Sequence, residues 1–126
     1  MTVPDEQWSE ARFAVENEDL ERLRELLDAG ADVNETYMGM PLLHHAIDTE
    51  ADGALQSGQP LHVDTTAYLL SSGADPRLKD GKGRDARSFA EGCGHWLALK
   101  LIEAFMSQTL TATRPRGGRV RRVLGR

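Results

Sequence analysis

One cysteine, five prolines, 6% aromatic residues and no long apolar run are the scarcities that narrow this 126-residue chain. A lone Cys93 cannot form an internal disulfide, so packing must hold the fold, and such usage fits a reducing, cytoplasmic setting. With few rings available, Leu, Ala, Ile and Val must build the core, and these aliphatics suit close helix–helix stacking. No apolar stretch approaches the roughly 18 residues of a membrane-spanning helix. The first residues, MTVPDEQ, are acidic with no apolar run behind them, which disfavours a secretory signal. A chain of this length allows one domain.

Basic residues are scarce in the body and crowded at the end. The last thirteen positions carry Arg114, Arg116, Arg119, Arg121, Arg122 and Arg126 and no acid. Removing those six positive charges from the net −5 leaves −11 for residues 1–113. Such a body suits a basic partner, and it disfavours productive contact with nucleic acid. The tail has no aromatic residue to stack on bases. Pro115 and Gly117-Gly118 predict a disordered basic tail over 109–126.

What is present, twice, is a seven-residue motif: Leu26 to Asp32 (LLDAGAD) and Leu69 to Asp75 (LLSSGAD). Paired leucines followed by Gly-Ala-Asp read as a helix stop and a tight turn. Pro4 with Asp5 and Glu6 predicts a first helix start, and Trp8, Ala11, Ala14 and Val15 follow at helical spacing. Leu20, Leu23, Leu26 and Leu27 form the stripe of a second helix, stopped by Gly30. A turn from Asn34 to Gly39 leads to Pro41, which opens a short helix from Leu42 to Asp48 or Thr49. Residues 50–60 read as a loop inserted between helices. Asp64 or a neighbouring threonine should cap the next helix, which Gly73 stops and Pro76 cannot continue. A turn at Asp80-Gly81-Lys82-Gly83, a short helix over Asp85 to Glu91 and a final helix from His95 to about Gln108 complete the reading. Leu97, Leu101, Ile102 and Phe105 are the expected buried stripe of that final helix. Gly30 and Gly73 are 43 residues apart; without an insert of roughly ten residues the period falls near the ~33 of one known helical repeat.

Across about residues 5–106 the chain resembles the ankyrin-repeat family. The helix-to-turn signature appears as LLDAGADVN and LLSSGADPR. The family's Gly-x-Thr-Pro-Leu-His-x-Ala signature looks like Gly39-Met40-Pro41-Leu42-Leu43-His44-His45-Ala46, and its Ala-x-x-x-Gly-His link like Ala90 to His95. Pro41 replaces the usual Thr and Leu42 the usual Pro, which should weaken bonding from turn to helix. Arg87 stands where the family buries a leucine, as in an end unit whose outer face meets water. The resemblance implies an all-α solenoid of about three helix-turn-helix units, 4–34, 35–77 and 78–108. The middle unit would carry the inter-helix insertion, within a domain spanning 1–108. It also implies a concave face that contacts a protein partner. On this chain that face would offer Glu35, Tyr37, Met38 and Met40 from the first turn, His45, Asp48 and Thr49 from the middle helix, and Lys82 and Arg84 from the second turn.

Sites for chemistry are hard to find. His44 and Asp48 form an i, i+4 pair, yet catalytic zinc takes three protein ligands and structural zinc four, so no metal and no cofactor is expected. His44 matches instead the family histidine that bonds backbone of the adjoining turn. Cys93 with His95 lacks an orienting third group, and Gly81-Lys82-Gly83-Arg84 lacks the full phosphate-loop pattern. The expectation is a non-enzymatic module with no small-molecule substrate. Alone it would be a monomer, and it would bind another protein, as bacterial inhibitor or immunity proteins do. The alternative is a nucleic-acid- or membrane-associated regulator acting through the arginine tail.

Overall fold

The computed structural model describes residues 8–112, and among them the chain is helical with one short hairpin. The first helix, α1 (Glu10–Glu16), opens where Ser9 accepts the Arg12 N–H at 3.0 Å. A serine oxygen there satisfies one of the N–H groups that a first turn leaves without partners. Pro4, the expected start, lies outside the described residues, and Trp8 precedes the helix and takes no place in its stripe. Asp19 caps α2 (Leu20–Asp28) likewise, accepting the Arg22 N–H at 3.1 Å. Leu23 is fully buried with Leu20, Leu26 and Leu27 beside it, while Glu21, Arg22, Arg24 and Glu25 face solvent, as the stripe predicts.

The two copies of the seven-residue motif close their helices with matching bonds. Gly30 takes a φ of 108° and Gly73 one of 104°, a region that side-chain-bearing residues rarely enter. The Ala31 N–H donates to the Leu26 carbonyl at 3.0 Å, and Ala74 to Leu69 at 2.9 Å. Each aspartate then bends the chain: Asp32 accepts from Asn34 N–H and Asp75 from Arg77 N–H, both at 2.9 Å. The copies also meet directly, because the Asn34 side-chain oxygen accepts the Asp75 N–H at 2.8 Å.

The turn expected at 34–39 is part of a hairpin. Strands β1 (Thr36–Tyr37) and β2 (Met40–Pro41) pair antiparallel, Thr36 opposite Pro41 and Tyr37 opposite Met40. Met38 and Gly39 sit at the tip with φ of 52° and 78°. Two positive-φ residues give the turn whose twist matches that of paired strands.

Helix α3 (Leu42–Ser57) overturns the expected loop at 50–60. It continues through Ser57, and Gly58 ends it at a φ of 73°. The physical reason is that Glu50, Ala51, Ala54, Leu55 and Gln56 all favour helix. Gly53 weakens that preference by only about 1 kcal/mol. The connection to the next helix is therefore residues 58–63. Pro41 offers no side-chain cap, as its replacement of threonine implied.

Nor does α4 (Asp64–Ser71) have the local cap expected from Asp64 or a threonine. Val63 occupies the cap position and makes no side-chain bond. Glu50, reaching across from α3, supplies the acceptor: one oxygen takes the Thr65 and Thr66 N–H groups at 2.9 and 3.0 Å. The carboxylate thereby faces the positive end of the helix dipole.

Asp85 caps α5 (Ala86–Cys93) through the Ser88 N–H at 2.9 Å, and Gly94 ends it at a φ of 75°. Helix α6 (Trp96–Ala112) follows, passing Gln108 and the expected boundary of the tail before it. Among its described side chains Ala98 and Ile102 are fully buried, and Leu101 and Phe105 of the expected stripe pack against the core, whereas Leu97 is half-buried and Ala98 takes its place. The helices pair in order, α1 with α2, α3 with α4 and α5 with α6, and α3 packs on both α1 and α5. Among the described residues, the fully buried apolar side chains between them are aliphatic except for Phe89. No helix among the described residues is long and apolar enough to cross a membrane. The rest of the predicted disordered tail lies outside the described residues.

Candidate interaction surface

Arg12 is 1% exposed and organises the hairpin from beneath. Its Nε donates to Glu35 at 3.1 Å, and one terminal nitrogen donates to the Met40 carbonyl at 2.9 Å, so both strands' approaches are held. Glu35 also accepts from the Ser9 hydroxyl at 2.5 Å. The other terminal nitrogen meets His45 Nδ1 at 3.0 Å. Guanidinium only donates, so Nδ1 is the acceptor and Nε2 carries the ring proton, which it donates to Glu16 at 2.6 Å. Trp8 closes the cluster edge-on, its ring centroid 5.3 Å from His45 and 6.4 Å from Tyr37. The guanidinium lies 5.9 Å from the Tyr37 ring centre, within the range of a cation–π contact.

The hairpin tip reaches the second turn. The Gly81 N–H donates to the Gly39 carbonyl at 2.8 Å, and a side chain on Gly39 would stand 3.2 Å from the Gly81 Cα. Only bare backbone allows that approach. Asp80 sets the second turn by accepting the Lys82 and Arg84 N–H groups, each at 2.9 Å, and the Arg84 guanidinium at 2.8 Å. Burial pushes the Asp80 carboxyl up, but the Arg84 and Lys82 bonds outweigh it and hold its pKa below the ordinary range. Arg84 also lies over the Phe89 ring at 4.9 Å.

His44 behaves as the resemblance implied, with Nε2 donating to the Arg84 carbonyl at 2.8 Å. Its Nδ1 is buried without a partner, and burial holds the pKa below the usual imidazole value. His95 Nδ1 accepts the Ala98 N–H at 3.2 Å, so its Nε2 donates to Glu50 at 2.9 Å. Cys93 is half-buried, and burial raises its thiol pKa, with Asp48 adding to the effect. That suppresses the thiolate. Among the described residues, no group of three or more His, Cys, Asp or Glu side chains is placed to hold a metal ion.

The nine residues expected at the contact face therefore divide. Met38 and Lys82 are exposed, and Met38 reaches 84%. Glu35, Tyr37, Met40, Thr49 and Arg84 are half-buried, and Glu35 and Arg84 are committed to ion pairs. His45, expected to be offered to a partner, is buried against Arg12 and Glu16. Asp48 is exposed but borders a separate furrow beside Cys93. Sequence reasoning missed Arg12 and Glu50. For Arg12 the available signal was its position between Ala11 and Ala14, on the buried side of α1. No protein-family model matches the chain, and no curated protein matches it.

Proposed function

We propose that the chain is a small ankyrin-type solenoid of three helix-turn-helix units that acts as a non-catalytic protein-binding module. The ordered pairing of helices along α1, α3 and α5 supports the architecture, as do the matching bonds of the two Gly-Ala-Asp turns. The contact face is built on the hairpin tip and the second turn, with Met38 at its centre. Met38 carries the reading. Turns of this type favour Asn or Gly, so a methionine at φ 52° with 84% exposure has no folding advantage. A soft, adaptable apolar side chain at that spot is suited to a partner's pocket.

The surrounding acidic body would speed encounter with a basic target, in the manner of an inhibitor or immunity protein. The test is capture of the cellular partner by the tagged chain and by its Met38→Gly and Met38→Asp variants, with helicity followed in parallel. Met38→Gly keeps the turn and removes the side chain. We expect both variants to remain folded and to lose the partner by about tenfold or more in affinity. Undiminished capture by both would refute the assignment.

A further inference from the structure

The unexpected length of α3 creates a surface that shares no residue with the hairpin. Three adjoining cavities of about 160, 360 and 220 Å³ form one furrow between the end of α3 and the start of α6. Leu55, 84% exposed, and Trp96, 60% exposed, both line its central part. With Met38 they are the exposed large apolar side chains among the described residues. The charged residues lining the furrow are all carboxylates: Asp48 and Asp52 at one end, Glu91 at the other.

We propose that this furrow docks a cationic amphipathic segment of a protein partner, with Leu55 and Trp96 as protruding apolar contacts and Asp48, Asp52 and Glu91 pairing its Lys or Arg side chains. Adjacent exposed Leu and Trp side chains hold apolar area that only an apolar occupant can remove from water. The carboxylate rim decides the sign of that occupant. An anionic membrane surface would meet like charge. A second copy would press a body of net charge −11 over residues 1–113 against another of the same sign. Although Asp48 is exposed as a residue, partial desolvation of its carboxyl, and after it the charge of Asp52, holds its pKa above the ordinary value, and an incoming cation offsets the charge of both carboxylates.

The full chain carrying Trp8→Phe leaves Trp96 as the sole tryptophan reporter. We expect a synthetic Leu/Lys helical peptide to shift Trp96 emission to the blue, and a Leu/Glu peptide of equal length to leave it unchanged. Leu55→Asp should weaken the Leu/Lys peptide by about tenfold or more. Asp48→Asn with Asp52→Asn, or a rise from roughly 0.05 to about 0.5 M salt, should also weaken it severalfold. Leu55 is exposed, so circular dichroism of its variant should match that of the parent. No shift with the Leu/Lys peptide, equal shifts with both peptides, or indifference to Leu55→Asp would each overturn the proposal. A blue shift with anionic vesicles that exceeds the peptide's would assign the furrow to a membrane instead. A red shift on truncation after Ala112 would assign it to the chain's own arginine tail. Weakening of the peptide-free signal with protein dilution would assign it to a second copy.

Discussion

Glu50 is fully buried and receives four hydrogen bonds: two from backbone N–H groups of α4, one from the Thr66 hydroxyl at 2.7 Å and one from His95 at 2.9 Å. A carboxylate so far from water survives because every approach to it is a donor. Glu50→Gln places an amide NH₂ against at least one of those donors, and His95 cannot change tautomer without losing the Ala98 bond. We expect that exchange to cost about 1–3 kcal/mol. Glu50→Ala, which leaves all four donors without their acceptor, should cost more, about 3–5 kcal/mol, a large part of the ~5–15 kcal/mol that holds a domain together. Urea denaturation at neutral pH measures both. His44 makes a second prediction at this scale. Its folded pKa lies below its unfolded value of about 6.5, so the neutral ring contributes stability in full above that pH. The contribution declines as pH falls from about 6.5 toward the depressed folded pKa. Protonation would put a hydrogen on Nδ1, which has no partner. Thermal midpoints at pH 7.5 and 5.5 (about one unit either side of the unfolded pKa) should therefore differ less in His44→Gln than in the parent.

Elements were legible where the signal was periodic or stereochemical. The leucine stripe of α2, the glycine stops at 30 and 73 and the turn at Asp80 to Gly83 all follow from rules that operate within a few residues. The end of α3 was not legible for the opposite reason. Glu50 follows Ala46 and Ile47 on the buried face, but a charged residue in that register looks like the end of an apolar pattern. Its neutralising donors come from residues 65, 66 and 95, and nothing near position 50 announces them. The contact face was only partly legible, because the exposure of Met38 depends on the hairpin and the burial of His45 depends on Arg12, 33 residues away. Gly53 offers a test of α3 as a whole. A methyl added there meets nothing within 4 Å. Gly53→Ala should stabilise the helix by about 0.8–1 kcal/mol and raise the thermal midpoint by several degrees. No gain would mean that the last two turns of α3 are frayed in solution.

For the molecule as a whole, the junction between the hairpin and the second turn is a backbone-to-backbone contact. Gly39→Ala forces a side chain into positive φ and against the Gly81 Cα. We expect a loss of about 1–2 kcal/mol from the backbone conformation alone, with added loss from the displaced turn. Faster amide exchange at Gly81 would localise it, since that N–H donates across the junction. Glu50 has a consequence at the same scale. One side chain fastens the middle of α3 to the starts of α4 and α6, and the peptide link over 58–63 is a separate tie between the same parts. A protease nick in that link would therefore leave two pieces that migrate as one particle under native conditions. The same nick in Glu50→Ala would let them drift apart, as size-exclusion chromatography would register.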